Sequence, residues 1–146
     1  MMMRTGFRIS LAAMAFAAAE PAAAAGEAVA APPLQIELNK LTSVGGGCRM
    51  TFVTSNHTGA ELKKAAFEVV LFDSRDLVDR LTVFNFGELP NGKTVVKQFD
   101  LKDGECTSFS RLLINGAAAC DGLPGGTEAC NGVLETANRT DLKFGK

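Results

Sequence analysis

The chain has 146 residues, with 15 basic and 16 acidic side chains, one histidine, four cysteines, ten phenylalanines, and neither tryptophan nor tyrosine. A formal net charge of −1 offers no electrostatic footprint for nucleic acid or for an anionic membrane surface. Without Trp or Tyr the chain lacks the interfacial girdles of an outer-membrane barrel, and it lacks the polar-tipped rings on which carbohydrate stacks.

Met1 to Ala25 read as a secretory signal peptide. Arg4 and Arg8 precede an apolar run of 11 residues, Ile9 to Ala19, and Ala23-Ala24-Ala25 puts small residues at −3 and −1 of a cleavage site. The run is shorter than the roughly 20 residues that span a bilayer. Cleavage near Ala25 is therefore expected, with no stable membrane span afterwards and a periplasmic or secreted location in a bacterium. A later small-residue site, Ala28-Val29-Ala30, would only trim the tail. The leader has no Arg-Arg pair and no cysteine at its end, which points to general export rather than a twin-arginine route or a lipid anchor. The remaining 121 residues carry 13 basic and 15 acidic side chains, enough chain for one domain with one core.

Residues 26–33 form a flexible linker ending in the locally stiff Pro32-Pro33. The domain is expected over 34–146. Leu34, Ile36 and Leu38 alternate with Gln35, Glu37 and Asn39, the period of a half-buried strand. Gly45-Gly46-Gly47 must turn, and Cys48, Met50 and Phe52 then alternate as a second strand up to Asn56. Leu62 to Phe72 is apolar on both faces apart from Glu68, as a central strand would be; a helical turn over Ala60–Phe67 is the rival there. Asp73-Ser74-Arg75-Asp76 is turn chemistry. Further strands are predicted over Leu81–Phe86, Lys93–Leu101 and Cys106–Ile114, with Leu89 plugging the loop between the first two. A last edge strand falls between Val133 and Phe144. Seven short strands with turn signals between them, no helix beyond the leader and no internal repeat predict an all-β fold: a single immunoglobulin-like β-sandwich. Phe52, Phe67, Val69, Leu71, Phe99 and Leu112 are expected to form its shared core.

All four cysteines (Cys48, Cys106, Cys120, Cys130) lie beyond the leader, in a compartment where disulfides persist. Three pairings are open. The Gly-rich segment between Cys120 and Cys130 makes local closure easy, leaving Cys48 with Cys106. A zinc site built from all four cysteines would need a closely spaced cysteine pair that the chain does not have.

At its second and sixth strands the chain resembles an immunoglobulin-like sandwich, whose inter-sheet disulfide joins equivalent strands, although no Trp stands by to pack on the bridge. Over residues 65–101 it is similar to the FxLYD-type domain of secreted bacterial proteins. Val69-x-Leu71-Phe72-Asp73, Leu77-Val78 and Gly87-x-Leu89-Pro90-x-Gly92-Lys93 carry the likeness, with Phe72 standing where that family has Tyr. The resemblance implies a small extracytoplasmic sandwich with no assigned chemistry.

Little in the chain looks catalytic. His57 sits alone in an Asn-His-Thr-Gly turn, with no nucleophile elbow and no second histidine for a zinc hydrolase. Asp73, Asp76 and Asp79 recur every third residue, but the spacing misses the calcium-loop pattern and Arg75 and Arg80 intervene. Asn56-His57-Thr58 and Asn138-Arg139-Thr140 match the glycosylation acceptor pattern, read as coincidence in a bacterial chain. Gly45–Gly47 and Gly122–Gly126 do not lead a strand into a helix as phosphate loops do. No catalytic, metal or cofactor-binding residue is assigned, and no cofactor is expected. The expected function is a non-catalytic module of the cell envelope, protein-binding or structural, whose partner is another envelope protein and which presents the 120–130 loop, as an inhibitor would. The alternative is a small periplasmic enzyme or ligand carrier with a site assembled near His57 from residues such as Asp73 and Glu88.

Overall fold

The alternating segment that begins at Leu34 becomes β1 (Leu34–Val44), and Gly45 and Gly46 turn it straight back into β2 (Gly47–Asn56). Both glycines have positive φ, +51° and +79°, as a two-residue type I′ hairpin requires at its two central positions. The remaining elements of this computed structural model, which describes residues 32–146, are β3 (Leu62–Asp73), β4 (Val78–Leu89), β5 (Lys93–Leu101), a 3-10 turn (Cys106–Ser108), β6 (Phe109–Asp121), α1 (Gly126–Val133), β7 (Leu134–Asn138) and β8 (Lys143–Gly145). The expected signal peptide and the linker up to residue 31 lie outside the described residues.

Two four-stranded sheets result, one ordered β5-β2-β1-β7 and the other β4-β3-β6-β8. Neighbours are antiparallel except β1 with β7 and β6 with β8, which are parallel. The architecture is the all-β sandwich expected from the strand pattern, with eight strands rather than seven. The single edge strand predicted between Val133 and Phe144 is two, β7 and β8, and they belong to different sheets. A strand period cannot reveal that, because the chain leaves one sheet for the other within the four residues 139–142. The segment 60–67 is extended, not helical: β3 runs from Leu62 as the centre of its sheet, paired on both sides.

The sheets enclose a phenylalanine core. Phe52 meets Phe84, Phe86, Phe99 and Phe144 edge-on at centroid distances of 5.6 to 5.9 Å, the geometry that the ring quadrupole favours. Phe84 of β4 and Phe99 of β5 stack at 4.3 Å across the two sheets. Five of the six expected core residues (Phe52, Phe67, Val69, Leu71, Leu112) are at most 1% exposed. Phe99 is only half-buried, because β5 is an edge strand.

One helix was not expected. α1 holds two glycines, Gly126 and Gly132, and is eight residues long, so propensity argues against it. Tertiary ties hold it: Cys130 is bonded to Cys120 of β6, and Asn131 Oδ1 accepts from the Ala117 amide at 2.7 Å. Before it, Gly122 (φ +118°) passes so close to β3 that a Cβ would lie 2.0 Å from the Glu61 carbonyl oxygen. The 120–130 segment is thus a turn and short helix tied to β6, with most of its residues exposed, rather than an irregular loop.

Candidate interaction surface

The four cysteines form two bridges, Cys48–Cys106 with Cα atoms 4.8 Å apart and Cys120–Cys130 at 6.3 Å. Cys106 does not open a core strand, as its sequence neighbourhood suggested. It sits in the 3-10 turn ahead of β6, so the first bridge ties β2 of one sheet to the lead-in of a strand in the other. The second ties α1 to the end of β6. Two disulfides place the chain's maturation in an oxidising environment.

The polar residues singled out in the sequence are dispersed. His57 is exposed, and its backbone N–H donates to the Pro33 carbonyl at 2.6 Å. Glu88 is exposed near the same end of the sandwich, whereas Asp73 lies at the far end of β3. That is roughly 35 Å of strand away. The aspartates are each engaged separately. Asp73 Oδ1 accepts from the amides of Arg75 (2.8 Å) and Leu77 (3.0 Å). The Leu77 amide above all, and then the Arg75 guanidinium, hold its carboxyl below the usual range. Asp79 pairs with Arg80 at 2.6 Å, and Asp76 approaches Arg111 at 3.7 Å. Among the described residues, no group of three or more His, Cys, Asp or Glu is placed to hold a metal ion.

The two Asn-x-Thr sequences have a role that the acceptor pattern conceals. Asn56 Oδ1 accepts from the Thr58 amide (3.0 Å) and hydroxyl (2.8 Å), while Asn56 Nδ2 donates to the Ala60 and Leu89 carbonyls at 2.8 Å each. Asn138 repeats the arrangement: Oδ1 accepts from the Thr140 amide (2.9 Å) and hydroxyl (3.0 Å), and Nδ2 donates to the Leu142 carbonyl at 2.7 Å. Each turn carries the chain from one sheet to the other, β2 to β3 and β7 to β8. In each, the residue after Asn donates its N–H to a carbonyl of the β1 segment, His57 to Pro33 and Arg139 to Leu38. The signal available in the sequence was the repeated Asn-x-Thr at the end of a strand.

Two surface clefts, of about 570 and 590 Å3, open near the far end of the sandwich. The first lies between the β1 bulge at Asn39–Lys40, the 3-10 turn and the β7–β8 crossover; the second lies over the Gly45–Gly47 turn. Neither is lined by His57, Asp73 or Glu88.

The most distinctive surface is apolar. Leu77, Val78, Leu81 and Val83 are each 52–56% exposed, and all belong to β4 or the turn before it, at the edge of the second sheet. Cross-strand register places Leu81 beside Val70 and Val70 beside Leu113, while Val78 adjoins Phe72. Leu81, Val70 and Leu113 therefore form an apolar row across the outer face of this sheet, with Val78 and Phe72 beside it and Val83 next to Glu68. Polar pairs border it: Glu68 accepts from Asn115 at 2.5 Å, and the Arg111 guanidinium lies 3.9 Å over the Phe72 ring. The exposure itself is confined to Leu77, Val78, Leu81 and Val83, since Val70 and Phe72 are buried; a cluster of exposed aliphatic side chains with a polar rim is a usual mark of a contact surface.

No protein-family model and no curated protein matches the chain. Among solved structures it is similar to IrmA from Escherichia coli, with a TM-score of 0.55 and 12% identity over 73% of this chain and 92% of that one. At that identity the likeness is one of fold: both chains share the sandwich.

Proposed function

We propose that the chain is an exported, non-catalytic module of the bacterial cell envelope that binds another protein through the outer face of its second sheet. The observation that carries this reading is the group of four half-exposed aliphatic side chains, Leu77 in the turn before an edge strand and Val78, Leu81 and Val83 on it. Such side chains gain about 25 cal/mol per Å2 when a partner removes them from water. The leader-like first 25 residues, the two disulfides and the resemblance of residues 65–101 to FxLYD-type domains support the address. The dispersal of His57, Asp73 and Glu88 weighs against the enzyme reading.

The test has two arms. Protein recovered from the native host should begin near Gly26 and fractionate with the periplasm or the medium; a chain starting at Met1 in the cytoplasm would refute the address. Photo-crosslinkers placed at Leu81 and at Val96, an equally exposed residue on the other sheet, should differ. Adducts specific to position 81 are expected, and equal labelling at both positions would refute the surface.

A further inference from the structure

We infer that the β4 edge pairs with the β4 edge of a second copy of this chain, joining two four-stranded sheets into one of eight. This rests on reading the Leu77–Val83 strip as a contact surface, and it names what reaches that surface first.

A sandwich of two four-stranded sheets has four edges, and unprotected edges recruit other strands. Three of the four are protected by devices that prevent this. β7 has five residues and β8 three, and the Lys146 ammonium donates to the Leu134 carbonyl where β7 starts. β5 carries Lys93 and Lys97, the latter half-buried with its ammonium against Gly87, and its Asp100 is held by Arg49 at 2.7 Å. β4 differs. It has 12 residues and no lysine, and among the described residues β3 is its one ladder partner. Between its irregularities the register is unbroken from Arg80 to Asn85.

That stretch is complementary to itself. Antiparallel pairing about a two-fold axis must set same-face residues opposite one another, so the axis passes through a residue pair. With the axis at Thr82, Leu81 faces Val83 of the second copy and Val83 faces its Leu81. Arg80 faces Phe84 and the two Thr82 side chains meet, while Asn85 comes opposite Asp79, the residue at the β4 bulge. On the outer surface apolar residues face apolar ones, and no like charges are opposed, which favours cross-strand pairs; on the inner side Arg80 lies opposite Phe84. Moving the axis by one residue to Leu81 sets Asp79 against Val83; moving it to Val83 sets Leu81 against Asn85. The Thr82 register also brings the two apolar strips side by side as a single surface.

Charge exchange at the facing pair tests this in the full chain, recovered with both disulfides formed. Leu81 and Val83 are more than half exposed, so substitutions there leave the core alone. In sedimentation equilibrium the wild type should have twice the mass of one chain. Leu81→Lys/Val83→Lys, which sets lysine against lysine in both pairs, should have the mass of one. Leu81→Lys/Val83→Glu, which sets lysine against glutamate, should regain the doubled mass and lose it again in high salt. A wild type of single mass would overturn the inference, even where the crosslinker at position 81 captures a different protein and the binding-module reading survives. Equal masses for the two double variants would overturn it as well, placing any dimer contact elsewhere.

Discussion

Asn56 concentrates more of the loop structure than any other side chain. It is 1% exposed, its amide and carbonyl make four hydrogen bonds, and its backbone oxygen accepts from Gly92 at 2.7 Å. Asn56→Ala would take the Asn56 partner from the Leu89 carbonyl and the Thr58 amide near the core, leaving the Ala60 carbonyl only the Thr58 hydroxyl at 3.2 Å, and should cost about 2–4 kcal/mol in urea unfolding. Asn138→Ala removes the same turn at an exposed position and should cost about 1 kcal/mol. Equal losses would show that burial is not what separates the two turns. Thr54 is the opposite case: it is wholly buried on the inner face of β2, and its hydroxyl has no partner. Thr54→Val keeps the shape and removes an unsatisfied group, so the unfolding free energy should rise by about 1 kcal/mol.

Among the elements, α1 depends most on its surroundings. Eight residues fall short of the roughly 12–15 that sustain an isolated helix, so the tether to β6 decides whether it forms. On the chain-entropy account, closing the short loop between Cys120 and Cys130 contributes about 2.5–3 kcal/mol. The double replacement Cys120→Ala/Cys130→Ala should lower the unfolding free energy by that amount, and amides 127–132 should lose hydrogen-exchange protection before the strands do. Full protection at those amides would mean that packing on β6, with the Asn131 bond to Ala117, holds the helix unaided. The β3–β4 hairpin is local by contrast. Asp76 takes a left-handed φ of +62° after the turn residues Ser74 and Arg75, and Asp73 closes the loop by its own carboxylate. Three-residue hairpin loops commonly close in this way, and Asp73-Ser74-Arg75-Asp76 announced it.

For the molecule as a whole, the core and the surface charges set separate limits. Phe67→Ala and Leu71→Ala, both fully buried on β3, should each cost about 2–5 kcal/mol; a loss below about 0.5 kcal/mol would mark a surface site. Acid should weaken the fold through carboxylates whose folded pKa is depressed. The Asn39 amide and then Arg139 lower that of Glu37, the Leu77 amide and then Arg75 that of Asp73, and Arg49 that of Asp100. A depressed folded pKa contributes stability that is complete above the unfolded value, near pH 4, and is lost as pH falls through the folded one. The urea midpoint should hold steady from neutral pH down to about 5 and decline below about 4. A decline starting near pH 6 would implicate another group.

The sequence by itself determined where the first five strands lie and, where they alternate, which face turns inward; the sixth, expected over Cys106–Ile114, is Phe109–Asp121. Alternation at Leu34–Leu38 and Cys48–Phe52, the doubly apolar run of β3, and the turn chemistry at Gly45-Gly46 and Asp73–Asp76 are local properties. A period of two specifies burial without knowledge of the neighbour. Tertiary structure alone decided how the strands are shared between sheets. It split the last strand into β7 and β8, it gathered a glycine-bearing segment into α1, and it moved Cys106 into a turn ahead of β6. It also decided that Asn-x-Thr would be a crossover clamp and that Leu81 and Val83 would stand on an unpaired edge. Each of these depends on partners distant in sequence, Pro33 for His57, Leu38 for Arg139 and Ala117 for Asn131. Local propensity has no term for hydrogen bonds that exist only once the sheets have met.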